Sequence, residues 1–329
     1  MWSTTSSTSS DSAAELSLAA EARKGMRLAR RIVIKVGTPM VTHVDGNLAL
    51  GRIGALIEQV SRLRQEGRDV VVITSGAIAT GSMRMRRTMT LNSTVLETVK
   101  AKGDERSVPG AAAAAVGQSQ LMGMYETLFA KYNLTCAQVL ITEEDIAQQD
   151  TLAQICDTTM ELMQLGTIPI INDNDAVTSR ATPVYNEETS EVLWDNDVLA
   201  SRLARNMRAD LLVMLTDMES LYAQPTGGEG KPFRLGVYRE GVEIARQNLV
   251  SDDSLLLSDH GRGQFSNATR LSEMAVKDLV EASTSAVAGG VRAAVVTTGH
   301  SPLALQRIVR GEDIGTLFID RDQVRSSKL

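Results

Sequence analysis

The apolar positions of this chain follow two rhythms. Short unbroken runs, Ile32-Val33-Ile34 and Val70-Val71-Val72-Ile73, read as strands buried on both faces. Between them Leu48, Ile53, Leu56, Ile57, Val60 and Leu63 recur at helical spacing and stop near Gly67. That spacing predicts an amphipathic helix closed by a glycine. Strand, helix and strand in this order form a βαβ unit with a right-handed crossover. The alternation continues downstream. Thr135–Ile141, Thr167–Ile171, Asp210–Leu215, Val291–Thr297 and Gly315–Ile319 predict further strands, and Gly110–Tyr132, Glu143–Leu165, Val198–Met207 and Asn267–Ala282 predict helices. Pro169 lacks a ladder donor, which places its strand near an edge or at a local irregularity. The whole pattern predicts one α/β sheet covered on both faces. Ser82–Val108, with Arg84, Arg86 and Arg87, reads as an exposed excursion, and residues 231–260 show no clear pattern.

The ends break the rhythm. Met1 to about Ser17 is rich in Ser and Thr and poor in large apolar residues, which predicts disorder. The chain therefore divides into a tail over residues 1–25, a folded domain over 26–322 and an exposed tail over 323–329. The last three residues, Ser327-Lys328-Leu329, match the receptor-read peroxisomal address and predict import into a peroxisome-type organelle, with the cytosol as the alternative.

The polar positions concentrate where strands end. Lys35 interrupts the first apolar run and Gly37 follows it. A lysine there is costly unless an anion neutralises it, although its stem can also snorkel to water. Ser75-Gly76-Ala77 opens a helix after the second strand, a geometry that suits a phosphate cradle and equally a tight turn. Asn172-Asp173-Asn174-Asp175 follows the fourth strand directly, and Asp195-Asn196-Asp197 opens a helix about twenty residues later. Asp195 is also a good helix cap. Together the two clusters offer metal ligands, carboxylates that orient a lysine, or acceptors for a substrate ammonium group. Gly261-Arg262-Gly263 is a glycine-flanked basic turn before a helix, again suited to phosphate.

Composition narrows the choice of partner. The chain is 43% hydrophobic and 22% charged with a formal net charge of -6, ordinary for a globular protein and unfavourable for nucleic acid. No apolar run is long enough to span a membrane. Cys136 and Cys156 lack metal-type spacing and read as reduced thiols, and the three histidines are isolated.

In order along the chain stand Lys35-Val36-Gly37-Thr38, Thr74–Gly81, Ala115–Ser119, Ile171–Val177, Asp195-Asn196-Asp197, Leu215-Thr216-Asp217 with Leu221-Tyr222, and Gly315–Phe318. This series, over roughly residues 30–320, resembles the amino acid kinase family. The resemblance implies a three-layer αβα sandwich around a mainly parallel sheet. It implies ATP and Mg2+ as cofactors and phosphorylation of the γ-carboxylate of L-glutamate, the first step of proline synthesis. It further implies proline as a feedback inhibitor and a homo-oligomer.

The resemblance also assigns roles. Lys35, Asp197, Arg270, Gly37 and Gly76 stand at the catalytic positions, with backbone N–H groups of Gly37, Ser75 and Gly76 facing the oxygens where charge develops. Ser75, Asp175, Asn196 and Asn172 stand at the substrate positions. Lys35, Thr216, Asp217, Gly261, Arg262, Gly263 and Arg270 stand at the nucleotide positions, and magnesium would bridge the phosphates with few protein ligands. Two positions depart from the family pattern. Arg270 replaces a lysine and Pro39 a common serine. Neither a C-terminal RNA-modification-like domain nor a dehydrogenase half follows in this sequence. The alternatives are a related kinase acting on N-acetylglutamate or aspartate, or a regulator that binds ligand without catalysis.

Overall fold

A computed structural model of the chain describes residues 8–43, 46–92, 108–178, 184–185, 192–223, 232–238 and 265–320. Seven strands form the central sheet: β1 (Arg31–Val36), β2 (Asp69–Thr74), β3 (Cys136–Ile141), β4 (Ile168–Asp173), β7 (Leu211–Thr216), β10 (Ala293–Thr298) and β11 (Thr316–Phe318). Two short antiparallel pairs lie outside it, β5 (Val184–Tyr185) with β6 (Val192–Trp194) and β8 (Tyr222–Ala223) with β9 (Phe233–Arg234). The sheet order is β11-β10-β7-β1-β2-β4-β3, parallel throughout except for β11 against β10.

β1 is central, with β2 on one side and β7 on the other. The chain winds outward from β1 toward β2 first and reaches β7 only later. The carboxyl ends of β1 and β7 therefore flank a topological switch point, where open α/β sheets leave a crevice. Lys35 lies in register with Ile73 of β2 and Met214 of β7, so the polar interruption of the first run sits at that crevice.

Side-chain alternation divides the core into two layers. Ile32, Ile34 and Val36 face one layer with Val70, Val72, Val213 and Leu215, where the helices Leu50–Gln65 and Gly110–Ala130 contribute Ile53, Ile57, Leu121 and Tyr125. Val33 faces the other with Val71, Ile73, Leu212 and Met214, against the helices Gln149–Gln164, Asn196–Asn206 and Phe265–Ala288. Each fully buried aliphatic side chain contributes about 1.5–3 kcal/mol of apolar transfer. Period two puts Lys35 on the face of Val33, toward the helix Asn196–Asn206.

A close crossing fixes the wall of the crevice. The helix Ala77–Asn92 packs on Gly110–Ala130 through Gly81 and Gly117. A Cβ added at Gly81 would lie 1.7 Å from the Ala113 carbonyl oxygen, and one at Gly117 1.8 Å from that of Ala77. The glycine that closes the Thr74–Gly81 stretch is thus a packing residue.

The structure corrects several expectations. From Thr8 to Gly25 the chain is helical where composition predicts a disordered tail through residue 25. Ala19 and Arg23 of that helix are buried. Arg23 donates to the carbonyls of Glu312, Ile314 and Gly236 at 3.0, 3.1 and 3.0 Å and pairs with Asp313 at 2.8 Å. Composition is blind to four long-range contacts made by one side chain. Ser82 to Asn92 continues the helix from Ala77 and is not an excursion. The single helix predicted over Glu143–Leu165 is two, Glu143–Ala147 and Gln149–Gln164, the first capped by a reciprocal Thr142–Asp145 box. Pro169 sits on the strand next to the edge. The ladder of β4 with β2 starts only at Ile170, so the missing N–H falls where that side is unpaired.

Candidate active site

At the switch point lies a cavity of about 640 Å³. Its walls bring together Lys35, Gly37, Ser75, Gly76, Asp175, Asn196, Asp197, Thr216 and Asp217, which are spread over more than half of the sequence. Each arrives at a strand end or a helix start. Asn172 stands behind the wall, 1% exposed, and is bonded to Asn196. Arg270 lies within the helix Phe265–Ala288, whose Ala275, Val276 and Leu279 line the cavity. Gly261, Arg262 and Gly263 fall outside the described residues, as does Ser327–Leu329.

Lys35 Nζ reaches Asp197 Oδ1 at 2.5 Å, with both side chains largely buried. Burial alone would lower the lysine pKa. The carboxylates of Asp197 and Asp195 outweigh it and hold the ammonium above its ordinary value. Asp195 caps the helix Asn196–Asn206, accepting from the N–H groups of Asp197 and Val198 at 2.8 Å. Burial and the neighbouring Asp197 raise the Asp195 carboxyl to about 6, against the pull of Lys35 and the two N–H groups. The cap therefore aims Asp197 at Lys35 and adds charge of its own.

Asp175 marks another part of the wall. Burial, then Asp173, raises its carboxyl to about 7. Asn196 donates from Nδ2 to Ser75 Oγ at 3.0 Å and to Asn172 Oδ1 at 3.1 Å. These contacts join three of the four substrate positions implied by sequence into one network. Thr216 Oγ1 accepts from the Met218 N–H at 2.9 Å and donates to Asp217 at 3.3 Å, which shapes the turn after β7.

The backbone donors differ from expectation. The Gly37 N–H donates to Leu215 O at 3.0 Å and the Ser75 N–H to Val36 O at 3.1 Å, so both extend the sheet ladders and neither faces the cavity as a free donor. Gly76 has φ 97°, a conformation that favours glycine. Thr80 N–H closes the first helical turn on Gly76 O, so the N–H groups of Ala77, Ile78 and Ala79 precede the first helical hydrogen bond. These three residues line the cavity. A 16-residue helix thus opens its positive end on the site.

Sequence reasoning left three polar residues near the site without a role. Asp195 was legible as a cap, which concealed its second part. Gln118, bonded to Asn172, lies in the Ala115–Ser119 stretch but has no chemistry of its own at sequence level. Asp278 is one of three acids in a long helix, with Glu273 and Glu281, and nothing in the sequence singles it out. Burial, then Asp195 and Asp197, raises its carboxyl to about 7.

Among the described residues, no group of three or more His, Cys, Asp or Glu could hold a metal ion. No helix among them is long and apolar enough to cross a membrane.

A model of the amino acid kinase family matches residues 30–235. A glutamate 5-kinase of Symbiobacterium thermophilum is 36% identical over 297 residues, covering 90% of this chain and 98% of the relative. A delta-1-pyrroline-5-carboxylate synthase of Solanum lycopersicum is 38% identical over 289 residues, 88% of this chain. This chain spans only 37% of that plant protein's length. Among solved structures, an isopentenyl phosphate kinase of T. acidophilum in complex with its product superposes with a TM-score of 0.51 at 12% identity, over 88% of this chain and 99% of the other. That likeness speaks for the αβα fold alone. The family match covers most of the folded chain and the bacterial relative aligns over nearly its whole length, so this chain belongs to the amino acid kinase family.

Proposed function

We propose that this chain transfers the γ-phosphoryl group of ATP to the γ-carboxylate of L-glutamate, giving γ-glutamyl phosphate and ADP. The observation that carries this reading is the shared cavity. It sets a buried Lys35–Asp197 pair and an open helix start beside Asp175, Asn196 and Ser75. The first group suits a phosphoryl group in transfer, and the second suits an amino acid. The bacterial relative named glutamate 5-kinase supports the choice of substrate.

A γ-carboxylate oxygen of glutamate attacks the γ-phosphorus, and the bond from that phosphorus to the β-phosphate oxygen breaks. Lys35, held charged by Asp197, offsets negative charge on the transferring group. The N–H groups at the start of the helix Ala77–Asn92 lie on the same wall. Asp175 accepts the substrate ammonium. An N-acetylated amino acid has no such group, and Asp175 would then have no partner of opposite charge. Thr216 and Asp217 contribute to the nucleotide side.

Magnesium belongs to this reading as an ion carried chiefly on phosphate oxygens. Asp217, a carboxylate in the cavity wall, is suited to share it, and the ion would neutralise charge on the nucleotide. The product is an activated acyl phosphate, consistent with the first step of proline synthesis. Inhibition by proline and homo-oligomerisation are further parts of the proposal.

Hydroxylamine traps acyl phosphates as hydroxamates and provides the test. Purified protein with ATP and magnesium should yield hydroxamate with L-glutamate, and none with N-acetylglutamate or L-aspartate. Hydroxamate from N-acetylglutamate in place of glutamate would overturn the substrate assignment.

A further inference from the structure

The hydrogen-bond polarity of the site's amides leads to Gln118. The Asp173 backbone N–H can only donate, and it donates to Asn196 Oδ1 at 3.4 Å. Asn196 must then present its Nδ2, which it does to Ser75 Oγ and to Asn172 Oδ1. Asn172 in turn presents Nδ2 to Gln118 Oε1 at 3.0 Å. The direction set by one backbone group thus passes through two carboxamides and fixes the third. Gln118 can use only its oxygen toward Asn172, which leaves Nε2 on the other side.

That nitrogen is buried and has no hydrogen-bond partner among the described residues. Gln118 is 8% exposed, and an unpaired amide donor at such a site is costly. Flipping the carboxamide would not relieve it, because Asn172 would then meet a donor with a donor. Gln118 lines a second cavity, of about 490 Å³, which shares Ala77 and Asp175 with the first. Asp173, Asp175 and Glu126 also line it. A bare anion is disfavoured among these acids, whereas a zwitterion brings its own positive charge for Asp175.

Resting on the proposed amino acid kinase activity toward glutamate, we infer that Gln118 is a substrate-binding residue. Its Nε2 donates to the α-carboxylate of the amino acid whose ammonium group meets Asp175. The relay makes this donor obligatory, so Gln118 selects a free carboxylate at the α-carbon. It also holds Asn172 and Asn196 in the orientation that the substrate meets.

The test exchanges donor for acceptor on both sides. Gln118→Glu keeps an oxygen toward Asn172 and replaces Nε2 by a second oxygen. The substrates are L-glutamate and its α-carboxamide, which offers N–H groups where glutamate offers oxygen. The wild type should prefer glutamate. In the variant, the ratio of kcat/KM for glutamate to that for the α-carboxamide should fall about tenfold or more, with KM for ATP unchanged within about twofold. A structural disturbance would lower both substrates together and leave the ratio intact, which would overturn the assignment. Gln118→Met, of similar length and without polar ends, should raise KM for glutamate about tenfold or more. An unchanged KM in that variant would also overturn it. Wild-type turnover of glutamate with no shift in either variant sinks the Gln118 assignment alone. Absence of wild-type turnover sinks the underlying reading and this assignment with it.

Discussion

Lys35 and Asp197 meet at 2.5 Å across the end of the central strand, one from β1 and the other from the first turn of the helix Asn196–Asn206. Strand alternation turns Lys35 toward that helix, and the Asp195 cap fixes the turn that presents Asp197. The pair is largely buried, with side chains 12% and 9% exposed. Removing either partner alone should therefore be worse for folding than replacing both by apolar chains. Asp197→Ala should cost about 3–5 kcal/mol in urea unfolding because it strands a buried ammonium. Lys35→Met strands the Asp197 carboxylate in the same way, so it should cost stability in the same direction and also lower turnover about a hundredfold or more in the hydroxamate assay. A folded, fully active Lys35→Met protein would remove Lys35 from the proposed phosphoryl-transfer role.

Stability should depend on pH through three raised carboxyls. Asp195 stands at about 6, and Asp175 and Asp278 at about 7, with burial the largest cause in each. An unfolded aspartate loses its proton near about pH 4, so between there and about pH 7 the folded chain holds more protons than the unfolded one. The stabilising contribution of these groups is complete below about pH 4 and is lost as pH rises through their folded values. Urea midpoints of the ligand-free protein should fall from about pH 5 to about pH 8. Asp278→Asn removes a buried carboxyl that faces Asp195 and Asp197. It should raise stability by roughly 1 kcal/mol or more at about pH 8 and much less at about pH 5. An equal effect at both pH values would show that the charge of Asp278 is not the cause.

The sequence made the sheet legible because its strands are near-continuous apolar runs, which only burial on both faces explains. Lys35, Asn172 and Asp197 were legible as polar residues at the ends of such runs or at helix starts. The docking of the first helix was not, since it depends on Arg23 meeting carbonyls almost 300 residues away. The assigned donors Gly37 and Ser75 failed for a similar reason. Whether a backbone N–H faces a ligand or a neighbouring strand is decided by register, and both N–H groups extend the sheet. Asp195 and Gln118 show the limit on the polar side. A good cap and an unremarkable helix glutamine acquire chemical meaning only from their partners in space.

Arg23 offers a direct check on the first helix. Its guanidinium holds three carbonyls and Asp313, and the residue as a whole is 6% exposed. Burial, resisted by Asp313, lowers its pKa from the ordinary arginine value. Arg23→Met keeps the apolar stem and leaves the carbonyls without their donor. It should cost about 2–4 kcal/mol in urea unfolding and expose the helix Thr8–Gly25 to rapid hydrogen exchange. Unchanged exchange there would show that the Arg23 contacts do not anchor the helix.

Gly81 and Gly117 test whether the crevice depends on helix packing. The two helices approach so closely that either added Cβ would overlap a backbone carbonyl, at 1.7 or 1.8 Å. Backbone cannot turn aside as a side chain can, so the helices must separate. Gly117→Ala should cost about 1–3 kcal/mol or more in unfolding. Its effect should also reach the site, because Gly117 presses on Ala77, the first residue of the helix whose open end lines the cavity. Turnover should fall more than stability alone accounts for, measured well below the melting transition. Gly54→Ala is the control, since a Cβ at Gly54, within the helix Leu50–Gln65 and away from both cavities, meets nothing within 4 Å among the described residues. It should leave turnover unchanged and raise stability by a few tenths up to about 1 kcal/mol through helix propensity. If Gly117→Ala behaved like Gly54→Ala, the close crossing would have no part in holding the site.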